Sequence, residues 1–183
     1  MTDRIRLLEL SFATTAGILE DVKPDQLGWP TPCTQWALRD LIAHMLSVLA
    51  EMGRAARGES AEEFGVIPAK DVAVGFRAEA RRTLDAWQSI DPEMTIDIGF
   101  GPVSAAFAMN VNMCDTAVHG WDVARTLGCS ADIPDELALH ILEFEQQILD
   151  DNLRQAVGFS SPLEIGTNAG ASDRLVAFLG RRP

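Results

Sequence analysis

Apolar residues recur every three to four positions along most of the chain, and five stretches hold that period long enough to be helices. In the first, about Asp3 to Asp21, Ile5, Leu8, Phe12, Ala16 and Leu19 fall on one face. The second, with Thr34 as its N-cap and an end near Arg57, aligns Leu38, Leu41, Ile42, Met45, Leu49 and Met52. A third, Ala69 to Ile90, aligns Ala73, Phe76, Ala80, Leu84 and Trp87. The fourth runs from about Val103 to Leu127, and Gly128 closes it in the usual C-terminal glycine position. The fifth opens on Pro134, a good first-turn residue, and passes through Leu137, Ile141, Phe144 and Ile148 to Ala156.

The connections carry the opposite signature. "KPDQLGWPTPCTQW" is punctuated by Pro24, Gly28, Pro30 and Pro32, and "GESAEEFGVIP" is rich in glycine and acid. In "TIDIGFGPVS", β-branched residues precede Gly-Pro, which predicts a short extended segment and a turn. After "GFSSPLEIGTNAGAS", a closing segment "DRLVAFLG" is expected to dock back on the bundle. No long alternating strand competes. The pattern therefore predicts an all-α protein, an up-and-down four-helix bundle with additional short segments, forming one domain over residues 1–183.

The fourth helix breaks its own pattern. Phe107 and Val111 lead in steps of four to Asp115, then to Val118 or His119, then to Asp122, so ionisable groups stand where the stripe should point inward. Burying an unpaired carboxylate costs on the order of several kcal/mol, so a compensating partner is expected. Asp115 and His119, four apart, share one face, and His44 lies at the edge of the second helix's apolar stripe. Two imidazoles and a carboxylate converging from two helices would hold a divalent ion and leave coordination positions free, the pattern of a catalytic rather than a closed structural site. Plainer readings stay open. His44 can be a satisfied core-edge histidine, and Asp115 can simply pair with His119. Asp40 can serve the helix dipole, and Asp122 can cap or pair with Arg125; each also sits one turn from a proposed ligand and can orient an imidazole instead. His140 falls in an ordinary surface register.

Composition narrows the partners. Lys and Arg number 15 against 27 acids, a formal net charge of −12, which argues against tracking phosphates or an anionic membrane surface. The N-terminus has early acids where a signal peptide has an unbroken apolar stretch, and no run is long enough to span a membrane. Cys33, Cys114 and Cys129 show no paired spacing and read as reduced thiols of a cytoplasmic protein. Cys33 stands out for its place in the Pro-rich loop just before the His44 helix. The exposed half of the fifth helix is the surface a homodimer would use.

Three motifs in order, "TPCTQWALRDLIAHM", "DTAVHGWDVARTLG" and "ASDRLVAFLGRRP", resemble actinobacterial metal-binding proteins of the DinB-like superfamily. Within it they resemble the branch related to the metal-binding domain of mycothiol-dependent maleylpyruvate isomerase. The resemblance implies a DinB-like four-helix bundle. Its ion, zinc first with nickel or iron as alternatives, is held by a histidine on the second helix and an acid-x-x-x-His pair on a later one. Carried over, these are His44, Asp115 and His119, with Asp115 one methylene shorter than the usual glutamate. The full isomerases carry a further C-terminal domain, which the chain is expected to lack, so maleylpyruvate itself is not implied. The function expected is a metal- and thiol-dependent isomerase or S-transferase, with mycothiol as cosubstrate and an electrophilic small molecule as partner. A metal-dependent hydrolase and a non-catalytic metal-binding or stress-related protein are the alternatives.

Overall fold

A computed structural model describes residues 2–59, 72–99, 101–130 and 132–183. Along the chain run helix α1 (Thr2–Leu19), a 3-10 turn (Pro24–Gln26), α2 (Leu38–Arg57) and α3 (Val72–Ser89). Strands β1 (Thr95–Asp97) and β2 (Pro102–Ser104) follow, then α4 (Ala105–Leu127), α5 (Asp135–Ile148), α6 (Asp151–Ala156) and α7 (Ala171–Phe178). Most of the expected "GESAEEFGVIP" connection, and the start of the third helix at Ala69, lie outside the described residues. Among the described residues no helix is long and apolar enough to cross a membrane. The chain falls into two compact units, Met1–Ala131 and Asp132–Pro183.

The first unit is a four-helix bundle, as expected, with α1 and α4 parallel rather than strictly alternating in direction. Helix α1 packs on α3 and α4, and α2 packs on the same two. The expected stripe of α2 is buried throughout. Leu41, Met45 and Leu49 are each at most 2% exposed, a burial worth about 1.5–3 kcal/mol per side chain. That seam fixes the rotation of α2 and leaves His44 at its edge, beside α4.

Polar seams align the helices as well. The Ser11 and Thr15 hydroxyls of α1 donate to the carbonyls of Met113 and Thr116 at 3.2 and 3.0 Å. Because the pairing ascends on both sides, α1 and α4 run in the same direction. Thr83 of α3 donates likewise to the Leu49 carbonyl at 3.0 Å. Gly120 lets α1 approach this closely, since a β-carbon there would fall 2.5 Å from the Thr15 Oγ1.

Several boundaries differ from expectation for local reasons. Helix α2 begins at Leu38, not after Thr34, because residues Pro30 and Ala37 pair as an antiparallel bridge and Ala37 becomes the N-cap. The extended segment is a hairpin pairing Thr95 with Ser104, Ile96 with Val103 and Asp97 with Pro102. Val103 therefore belongs to a strand, and Ser104 starts α4 by accepting the Phe107 N–H at 3.2 Å. Gly128 ends α4 at φ 71°, the left-handed conformation glycine adopts without strain.

In the second unit the expected fifth helix is two. The Asp150 carboxylate accepts the Leu153 N–H at 2.8 Å and so caps a new helix, α6, instead of continuing α5. The closing segment forms α7, which packs on α5. Buried Arg154 satisfies itself on the carbonyls of Ser160 and Phe178 at 3.0 and 2.9 Å.

Candidate metal centre

The expected core stripe of α4 is enclosed only in part: Val118 and Asp122 are buried as expected. Phe107, Val111, Asp115 and His119 are half-buried, while the fully enclosed face carries Ala108, Met109, Asn112, Met113, Thr116, Ala117, Gly120 and Val123. Helix α4 is packed on most of its circumference, so several registers are apolar and periodicity alone does not choose among them. Asp115 and His119 thus lie at the edge of the core, with 15% and 12% of their side chains exposed, and Asp122 lies within it.

Across that edge His44 of α2 meets Asp115 and His119 of α4. His44 Nε2 lies 3.2 Å from Asp115 Oδ1, and His119 Nε2 lies 3.7 Å from the same oxygen. The two imidazole rings stand 5.0 Å apart, nearly perpendicular at 89°. One donor atom from each residue falls within 4.8 Å of the others. Zinc bonded at about 2.1 Å to nitrogen and oxygen in tetrahedral geometry sets neighbouring donors about 3.4 Å apart, so the donor set and its spacing fit a divalent ion. Asp115, although short for the usual glutamate position, reaches both histidines from its place on the helix.

The other face of His119 is engaged from within. Its Nδ1 lies 2.9 Å from Asp122 Oδ2, and Asp122 has no exposed surface. A carboxylate there can accept a hydrogen bond from Nδ1–H, the tautomer in which Nε2 has a lone pair to offer a metal ion. Arg125, expected as an alternative partner of Asp122, instead carries its guanidinium 5.4 Å from the Trp121 ring centre. Asp40 is exposed, and its carboxylate accepts the Ala37 N–H at 3.0 Å, so of its two expected roles it fills the one at the helix start.

Two participants come from the loop before α2. Trp36 lays its ring 4.6 Å from that of His44 and 6.0 Å from that of His119, forming an apolar wall. Cys33 brings its Sγ to 3.3 Å from Asp122 Oδ2 and 3.8 Å from His119 Nδ1. Sequence reasoning noticed Cys33 by position only and passed over Trp36. The available signal was a Pro-constrained loop ending in an aromatic, immediately ahead of a helix bearing a ligand-type histidine.

The chain matches the family model of the mycothiol maleylpyruvate isomerase N-terminal domain over residues 8–124. It belongs to that family. The matched segment contains every residue of the cluster just described. An uncharacterized protein of Mycobacterium tuberculosis, found in strains CDC 1551 / Oshkosh and ATCC 25618 / H37Rv, is 28% identical over 170 residues, 91% of each chain. The crystal structure of the mycothiol-dependent maleylpyruvate isomerase superposes with a TM-score of 0.60 at 19% identity, over 77% of this chain and 67% of that one. The bundle of this family member is therefore the DinB-like fold of that isomerase.

Proposed function

We propose that this chain binds a divalent metal ion, zinc first, through His44 Nε2, Asp115 Oδ1 and His119 Nε2, and acts on an electrophile with a low-molecular-weight thiol as cosubstrate. Mycothiol is the thiol the family points to, and isomerisation or S-transfer is the reaction class. The observation that carries this reading is the convergence of the three donors within 4.8 Å of one another from two helices. Three protein donors leave coordination positions for a small molecule, unlike a closed structural zinc site. A bound divalent ion would favour the deprotonated form of a thiol whose free pKa is ~8.5.

The chain's own residues supply the rest. Asp115 contributes one negative charge between two imidazoles, and Asp122 fixes the tautomer and direction of His119. Trp36 covers the histidine faces and limits water on that side. His44, with 32% of its side chain exposed, marks the side from which substrate enters.

The test combines metal analysis with turnover. Purified protein should hold one equivalent of zinc, lose it on His44→Ala, and turn over a panel of electrophiles only with thiol and metal together. Equal turnover by metal-free protein sinks the proposal. Turnover with metal but without thiol replaces it with metal-assisted hydrolysis.

A further inference from the structure

We infer that Cys33 is a positioning residue of this centre: its thiol donates to Asp122 and, through that carboxylate, keeps His119 Nε2 turned towards His44 and Asp115. The inference rests on the metal-binding reading for its consequence, but its geometry stands alone. Asp122 Oδ2 receives both the His119 ring at 2.9 Å and the Cys33 thiol at 3.3 Å. A fully buried carboxylate depends on such donors, because one left unmatched costs its desolvation.

Cys33 reaches this oxygen from a distant segment that is itself tied down. The Thr31 hydroxyl is shared between the Cys33 and Trp36 carbonyls at 3.1 and 2.9 Å, and the Trp36 N–H donates to the Cys33 carbonyl at 2.8 Å. At the loop's base the Leu38 N–H donates to the Trp29 carbonyl at 2.9 Å. The thiol is therefore presented by a closed loop, and the loop is joined to α4 at the atom that orients His119.

Two other roles fit less well. In a nucleophile relay, thiol and acid engage opposite nitrogens of the imidazole, whereas here both face Nδ1. Cys33, His119 and Asp122 also lie within 4.8 Å of one another, as metal ligands would. Ligation through Nδ1, however, would remove the proton that Asp122 accepts and undo the orientation of Nε2. One histidine cannot serve both arrangements in this state.

The test compares the wild type with Cys33→Ala and Cys33→Ser at one fixed pH. In metal-free protein labelled with ¹⁵N-histidine, His119 should show a single Nδ1–H tautomer in the wild type, a mixture in Cys33→Ala and recovery in Cys33→Ser. Zinc affinity, measured by competition with a chromophoric chelator, should fall about tenfold in the alanine variant and recover in the serine variant, the scale seen for outer partners of metal ligands. An unchanged tautomer and affinity in Cys33→Ala overturns the inference. So does a sulfur-to-cobalt absorption band in the cobalt(II) protein that Cys33→Ser abolishes, since Cys33 would then be a ligand. Failure of the wider reading looks different: His44→Ala would keep its metal, while the metal-free tautomer result would be unaffected.

Discussion

Replacing Gly120 with alanine tests whether the approach of α1 to α4 holds the site helix in place. The added methyl would sit 2.5 Å from Thr15 Oγ1, 3.2 Å from its Cγ2 and 3.3 Å from its Cβ. The first distance is about 0.9 Å short of ordinary contact. Thr15 is 1% exposed and already donates to the Thr116 carbonyl, so its hydroxyl cannot swing away without losing that bond. Overpacking costs about 1–3 kcal/mol, and a buried hydroxyl left unsatisfied costs about 1–3 kcal/mol more. Against this, alanine gains about 1 kcal/mol over glycine in a helix. The net expectation is a loss of about 3 kcal/mol in urea unfolding of the metal-free protein. Gly17, with nothing within 4 Å of its added β-carbon, is the internal control, and Gly17→Ala should be neutral or stabilising by up to about 1 kcal/mol. Thr15→Ala in the Gly120→Ala background should recover stability, with a coupling of about 1–3 kcal/mol. If Gly120→Ala is as stable as Gly17→Ala, the close approach is not what it has been taken for.

Other expectations follow from individual contacts. Trp36→Ala should raise the rate at which diethyl pyrocarbonate modifies His44 and His119, because it removes the ring that covers both; mass spectrometry of the peptides reads this directly. Asp150→Ala should cost about 1 kcal/mol by removing the cap of α6, with faster amide exchange at Leu153 as the local sign. Arg57 hydrogen-bonds Glu59 at 2.8 Å and holds that carboxyl below its usual range. Arg57→Ala should therefore raise the Glu59 pKa in a carbon-detected NMR titration. In the wild type whatever the pair adds to stability is present above the carboxyl's unfolded pKa and is lost as pH falls through the lower folded one.

The helices were legible because burial imposes a period. Leu38, Leu41, Ile42, Met45, Leu49 and Met52 form one seam in the sequence alone, and that seam turns His44 towards α4. Their ends were less legible, because competing short-range bonds set them. Ala37 starts α2 through a bridge to Pro30, and Asp150 splits α5 from α6 with a single carboxylate. Neither choice leaves a mark on hydrophobic periodicity.

The same distinction explains the site. Asp115 and His119 were identifiable because charge in an apolar helix calls for compensation, and their partner His44 because it edges a core stripe. Their depth varies along the row: Asp122 is fully buried, while Asp115 and His119 keep a small exposed part at the edge of the core. Of the three donors, His44 is the most exposed, at 32% of its side chain against 15% for Asp115 and 12% for His119. Depth is instead reserved for Asp122, the group that orients. Its buried carboxylate meets both His119 Nδ1 and the Cys33 thiol at the single oxygen Oδ2, while the opposite ring nitrogen faces Asp115. Periodicity could mark these residues as unusual, but only the turn of the loop bearing Cys33 and Trp36 decides which face of His119 is held and which is offered.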